Sequence, residues 1–293
     1  MEPLTAEQRR AAMEDYLRAL EGDALEPTGG PLPFDALVGL DDAAWSPLGF
    51  HIVTDELREL TNGLNQWRGA LRRWHAWNQV LSTRDEELSW AIQWEFVEPL
   101  VHQCLFNPSA VRDRFVGVAT NALHQVQLSS VPAYEDRLLG DPSAPGERAT
   151  YPSRRQKEGQ LRRFTRRWPE GTAFMASLSA LDDDTNRRAT ADFRNRASHG
   201  IAPRFSVGYT HTVSRSVTQA MRPQEQEDGR LLEEPIPGRL SVWYGYGGLA
   251  PLSLSDLWTT NCSQFRTAEA CFAAYISLMN AAISTMPRAR PHR

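Results

Sequence analysis

A mainly helical bundle carrying a small β insertion is the fold class that the sequence predicts, on three observations. Apolar residues recur at alternating spacings of three and four from Leu57 to Leu81, the period of a helix buried along one stripe. Residue types that start and stop helices flank most such stretches. Alternation of apolar with small or polar residues, the period of a strand, is confined to 204–213 and 240–244. The organisation this predicts is an N-terminal helix and Gly/Pro-rich loop over 1–50, then a helical domain over 51–290 with an extended or β insertion at about 201–254.

Taken in order, Thr5 with Gln8 three residues on forms a capping box for a helix over 5–21, with Met13, Tyr16, Leu17 and Leu20 as its stripe. Gly29-Gly30-Pro31, Pro33 and Pro47 make 22–49 a loop packed by Phe34, Leu37, Leu40 and Trp45, or a linker; the apolar residues favour the loop. The next helix, 54–82, carries Leu57, Leu60, Leu64, Trp67, Leu71, Trp74, Asn78 and Leu81 in one seam. A seam under four heptads suits an intramolecular bundle better than a dimer seam registered by Asn78. A helix over 85–106 follows, with Trp90, Trp94, Val97, Val101 and Leu105 on one face and a kink expected at Pro99. Asn107-Pro108-Ser109 is expected to break the chain before a third helix over 109–129, with Val111, Phe115, Val118, Ala122 and Val126 inward. The five tryptophans between 67 and 94 lie at helical spacing and belong to the core rather than to a base-stacking surface. His75, His102 and His124 show no ligand spacing, so no metal site is expected.

A surface loop at 140–152 leads into the basic run Arg154, Arg155, Lys157, Arg162, Arg163, Arg166 and Arg167, opposed only by Glu158. On a helix Arg155, Arg162 and Arg166 share a face, flanked by Arg163 and Arg167. A solvated face accounts for such a run taken alone. A helix from Trp168-Pro169-Glu170 to about Leu181 comes next, and Asp182-Asp183-Asp184 reads as a helix cap rather than a magnesium cluster. After Gly200, short strands are expected around 204–213 and 240–244, separated by a polar acidic loop at 223–238 and closed by a turn at Gly245-Tyr246-Gly247-Gly248. That glycine cluster lacks the strand–helix context and the lysine of a nucleotide cradle. Ser255-Asp256 caps a last helix to Met286, striped by Phe265, Phe272, Ile276, Met279 and Ile283, and the basic tail 287–293 is expected to fray.

Composition narrows the function. With 41% apolar and 23% charged residues, a normal core is expected and global disorder is not. A net charge of −4 means that any nucleic-acid surface is a local patch. Cys104, Cys262 and Cys271 are odd in number and lack C-x-x-C spacing, which argues for a reducing compartment and against disulfides or zinc. Neither a secretory start nor an apolar run of about 20 residues is found, so the expected location is cytoplasmic, with no membrane partner.

The chemistry concentrates at 191–200, read as the last turns of a helix that starts at Asp182-Asp183-Asp184 and stops at Gly200. Asn195 and His199, four apart, share a face, while Arg194 lies about 140° from His199 on a regular helix but has the reach to converge with it. An arginine fork binds phosphate in a bidentate way, and a histidine exchanges protons near neutral pH. Together they suffice to attack a phosphodiester without a metal. The basic run precedes this segment, so Arg155, Arg162, Arg163, Arg166 and Arg167 are candidate RNA-phosphate contacts.

Arg194-Asn195-Arg196-Ala197-Ser198-His199 resembles the R-N-x-x-x-H form of the Rx4–6H motif of the HEPN superfamily, the higher eukaryotes and prokaryotes nucleotide-binding domains. The resemblance is sharp over about ten residues and topological over roughly 55–290. It implies an HEPN-like all-α bundle, often dimeric. It also implies a metal-independent endoribonuclease of the kind found in toxin–antitoxin, abortive-infection and CRISPR systems. Some sixty residues between motif and last helix depart from the family pattern. By this resemblance Arg194, Asn195 and His199 are the catalytic residues. The RNA 2′-OH attacks phosphorus to leave a 2′,3′-cyclic phosphate, His199 acts as acid or base, Arg194 stabilises the phosphorane, and Asn195 orients His199 or contacts phosphate. DNA lacks the 2′-OH and is excluded. No cofactor is expected. One histidine per chain implies a homodimer, since cleavage uses both an acid and a base; an antitoxin or defence-system partner is a further implied contact. The alternative is a non-catalytic HEPN-like scaffold, or a nucleotide- or nucleic-acid-binding module, with Arg194 paired to a carboxylate such as Asp192. Exposure of His199 separates the two.

Overall fold

The structure, a computed structural model, describes residues 3–22, 25–225 and 229–289. It divides into two compact units, Met1–Thr190 with Ser255–Arg293, and Ala191–Leu254. Among the described residues the fold is mainly α, with a two-stranded antiparallel sheet that follows the motif segment and precedes the last helix in sequence.

In the helical unit, α1 (Ala6–Glu21) starts at the expected capping box, Thr5 with Gln8. Its buried residues are Ala12 and Tyr16, whereas Met13 and Leu17 are exposed. Tyr16 stacks on Trp77 at 4.4 Å, and this contact sets the face that α1 turns inward. Helix α2 (Gly49–Leu81) buries Leu57, Leu60, Leu64, Trp67, Leu71 and Trp74, so the seam is the stripe of a bundle helix, packed against α4 (Glu98–Ser130). Preceding α4 are α3 (Glu86–Ile92) and a π turn at Gln93–Val97. The π turn ends two residues before Pro99, which has no N–H to give to a carbonyl four residues back. It inserts roughly one residue into the helical repeat. Trp94 accordingly leaves the stripe predicted for it and is 52% exposed.

Pro108 does not break the chain. Helix α4 runs through it, with Pro108 and its neighbours Cys104, Leu105, Ser109 and Val111 all buried. One hydrogen bond is missing at the proline, but tertiary packing on both sides holds the helical path. Helix α5 (Arg154–Thr165) packs on α4, and α6 (Glu170–Ala180) packs on α5. Gly171 permits the close crossing of these two: a Cβ there would lie 2.2 Å from the Thr165 carbonyl oxygen. Helix α9 (Leu254–Ser284) supplies Asn261, Phe265 and Tyr275 to the core. The Trp67 indole donates to Asn261 Oδ1 at 2.9 Å and meets Phe265 edge-on at 5.3 Å, while Tyr275 meets Phe115 and Phe174. The segment after α9 is pinned as far as Ala289, whose amide donates to the Asp42 carbonyl; the remainder of the expected frayed tail, 290–293, lies outside the described residues.

The second unit holds α8 (Phe193–Ser198), β1 (Thr210–Glu225) and β2 (Leu231–Leu249). The strands are longer than their alternation suggests. Residues 231–238 are strand rather than loop, and Gly245-Tyr246-Gly247-Gly248 runs within β2 rather than turning. Pro223, Pro235 and Pro237 fit because both strands of a lone hairpin are edges. A bulge between Gln219 and Met221 shifts the register, and the Gln219 amide donates to the carbonyls of Ile236 and Arg239 opposite it. Strand β1 begins at Thr210 rather than near 204. Positive φ at Ser206 (56°) and Gly208 (97°) precludes a ladder there, leaving a single parallel bridge from Phe205 to Leu252.

Candidate functional site

The helix expected from Asp182 to Gly200 is two short pieces. Asp183 caps α7 (Asp184–Ala189), as a helix-start reading of the acidic triplet requires, by accepting from Asn186 N at 2.8 Å. The chain then leaves helical geometry at Ala191 (φ 48°) and Asp192 (φ 52°) and re-enters it as the six-residue α8. Left-handed alanine is uncommon. Here the Arg196 Nε donates to the Ala191 carbonyl at 2.9 Å and ties the turn to the helix it precedes.

That bond separates the two motif arginines. Arg196 is half-buried and structural. Arg194 is exposed, and among the described residues of this unit no hydrogen bond or ion pair engages its guanidinium. His199 is the C-cap of α8, with φ −106° and ψ 7°. The amides of Gly200 and Ile201 bond back to Ala197 O at 3.1 Å and Arg196 O at 3.0 Å, with Gly200 left-handed at φ 71°. This 6→1 and 5→2 pair is a Schellman closure, and it fixes the backbone that carries His199. The imidazole is exposed. Asn195 does not reach His199 as expected; its amide donates to Asp192 Oδ2 at 3.1 Å. Asp192 is thus engaged by Asn195, and the Arg194–Asp192 pair of the scaffold alternative is not formed. Phe193 is the buried anchor of α8, stacked on Phe205 at 5.3 Å.

Of the basic run, Arg155, Arg162, Arg163, Arg166 and Arg167 are all exposed and belong to the helical unit. No ion pair or side-chain hydrogen bond among the described residues occupies them, and Arg167 rests over the Trp168 ring at 5.7 Å. Arg162 and Arg166 line a groove of about 400 Å³ between α5 and α6, with Thr165, Gly171, Thr172 and Ser179. Two free guanidiniums beside hydroxyls form a surface suited to phosphate. Sequence reasoning places these arginines on one face but has no means of seeing the groove.

Arg154, from the same run, plays another part. It bonds Asp113 at 2.6 Å and Asp182 at 2.9 Å, and Arg187 also reaches Asp182, at 3.0 Å. Burial opposes charge on Asp182, yet the bonds from Arg187 and Arg154 outweigh it and hold the carboxyl below its ordinary range. The acidic triplet is therefore part cap and part ion-pair anchor.

Other reactive groups are placed away from chemistry. All three cysteines are free and buried, and burial pushes their thiols up, that of Cys262 to about 12. Buried His124 is held between Tyr134 and Asp136. His75 accepts from the Glu26 amide at 2.7 Å, and burial lowers its pKa. Among the described residues, no group of three or more His, Cys, Asp or Glu is placed to hold a metal ion, and no helix is long and apolar enough to cross a membrane. In comparisons with known proteins, no family model, no curated protein and no solved structure matches the chain.

Proposed function

We propose that the protein is a metal-independent endoribonuclease of the HEPN type, with an HEPN-like bundle as its helical framework. The observation that carries this is the state of the motif. Arg194 and His199 are exposed and unengaged within their unit, while Arg196 and the Schellman closure bear the structural duties. A histidine whose role is to satisfy the fold is expected to be buried and bonded, as His124 is.

In this reading the RNA 2′-OH loses its proton to His199 as it attacks phosphorus, and the 5′-oxygen leaves with a proton from a second donor. The products are a 2′,3′-cyclic phosphate and a 5′-hydroxyl. Arg194 holds the non-bridging oxygens as charge builds on them, a task its bidentate fork suits. Asn195, directed to Asp192, contributes to the backbone of the site rather than to proton transfer. The second donor is the His199 of another copy, which makes the active unit a homodimer. Arg155, Arg162, Arg163, Arg166 and Arg167, on the helical unit, bind RNA phosphates. A role in toxin–antitoxin or anti-phage defence, in the cytoplasm, is the setting such an activity fits.

The test is cleavage of single-stranded RNA with EDTA present, followed by analysis of the product ends. The expected result is cyclic phosphate ends and a specific activity that falls on dilution as dimers dissociate. Activity that requires a divalent ion would overturn the metal-free mechanism, and a monomer in light scattering that still cleaves would overturn the composite site.

A further inference from the structure

Cross-strand pairing puts His211, Val213 and Arg215 of β1 on one face of the hairpin with Tyr244, Tyr246 and Gly248 of β2. Arg215 stands opposite Tyr244, and Val213 opposite Tyr246. Tyr209 extends the row: its ring meets His211 edge-on at 5.2 Å and lies over Gly248, where a Cβ would fall 2.0 Å from Tyr209 Cε1. These rings face solvent, with Tyr246 86%, Tyr244 54% and Tyr209 50% exposed. The opposite face is mostly hydroxyl-bearing, with Thr212, Ser214, Ser216 and Thr218 beside Trp243. Charge divides the hairpin along its length. Segments 210–219 and 240–249 contain no carboxylate, only Arg215 and the titratable His211, whereas Glu225, Glu233 and Glu234 lie beyond the bulge.

We propose that this face is a stacking platform for the bases of single-stranded RNA, with Arg215 on the phosphate backbone. Flat π faces with a cation and no acid match a polyanion that carries flat bases. An apolar partner would match the rings but leave Arg215 without a counter-charge. Spacing agrees: a two-residue step along an antiparallel strand is about 6.8 Å, twice the ~3.4 Å between stacked bases, which leaves room for one base between rings. The platform belongs to the same compact unit as the motif. Thr210, the first residue of β1, donates to the Ala202 carbonyl, and Phe205, at the hairpin's base, stacks on Phe193 of α8. A strand held on the hairpin is therefore held by the body that carries Arg194 and His199. The choice of RNA as the bound chain rests on the ribonuclease reading; the stacking itself does not require catalysis.

The experiment measures binding of a fluorescein-labelled, 2′-O-methyl single-stranded RNA, which cannot be cleaved by 2′-OH attack, to the full chain by anisotropy. Y244L/Y246L keeps apolar bulk and removes the rings; Trp243→Leu on the other face is the control. The double variant is expected to bind at least tenfold more weakly, at unchanged circular dichroism and light scattering, with the control within twofold of the parent. Equal weakening by the control, parent-like binding by Y244L/Y246L, or no binding by the parent would overturn the platform. A loss of self-association in Y244L/Y246L without a loss of RNA binding would likewise overturn it, in favour of contact between copies. Cleavage of unmodified RNA is read separately. Ring-dependent binding without cleavage sinks the ribonuclease reading alone, and cleavage without ring dependence sinks the platform alone.

Discussion

The two units treat their aromatic residues in opposite ways. In the helical unit Trp67, Trp74, Phe115, Phe174, Phe265 and Tyr275 are fully buried. In the second unit Trp243, Tyr244 and Tyr246 are exposed, and among the described residues burial is limited to the anchors Phe193 and Phe205 with Pro203 and Ala220. Helices satisfy their own backbones and can spend a whole stripe of side chains on one another. A two-stranded ribbon presents two faces and two open edges, and nothing in its own ladder covers them. The same residue types therefore specify structure in one unit and stay exposed in the other.

The sharpest way to break this contrast is one substitution made in both places. Trp74→Ala should cost about 3–5 kcal/mol, the range for emptying a large buried site. Trp243→Ala should stay within about 0.5 kcal/mol. Chemical denaturation of the two variants decides the point, and comparable losses would mean that exposed Trp243 is as structural as buried Trp74.

A somewhat smaller effect is expected at the ion-pair anchor. Asp182→Asn leaves Arg154 and Arg187 facing a neutral group and should cost about 3 kcal/mol. Because the folded-state carboxyl is held low, its contribution is complete above the ordinary aspartate value of about 3.9 and is lost as pH falls through the folded value below it. Parent and variant should therefore converge in stability on the acid side. A gap that stays constant down to acid unfolding would place the stabilisation elsewhere.

What is legible in the sequence follows the same division. The α2 stripe, the Thr5–Gln8 box and the α9 core stripe are local patterns, and the structure keeps them, apart from Ile276, which is only half-buried. Pro108 defies its local signal because packing around it outweighs one missing hydrogen bond, a tertiary effect that no short stretch of sequence carries. The break at Ala191 and Asp192 is hidden for a related reason: Asp tolerates a left-handed conformation but alanine seldom adopts one, and the bond from Arg196 that stabilises the turn is visible only in the fold. In the hairpin, glycines that signal a turn in isolation become ladder residues because the opposing strand supplies their partners. At the candidate site, exposure of Arg194, Asn195 and His199 agrees with a helix end on the surface, but the partner of Asn195 does not follow from i,i+4 spacing.

The smallest predicted effect concerns the helical unit's exposed arginines. Neutralising Arg166 and Arg167 should weaken RNA binding modestly and lower the salt slope by about 0.7 for each phosphate that is no longer neutralised, with turnover at saturating RNA largely kept. Titrations at several salt concentrations check it; an unchanged slope would mean that this stripe is only a solvated face.

The role of His199 is tested by comparing RNA cleavage in EDTA by the parent and by His199→Ala, with circular dichroism and binding of an uncleavable RNA measured on both. The expected result is a folded variant that binds RNA normally and turns over about 10²–10⁴-fold more slowly, the usual range for lost acid–base catalysis. A folded variant that cuts as fast as the parent, or a parent that cuts no RNA at all, would contradict it.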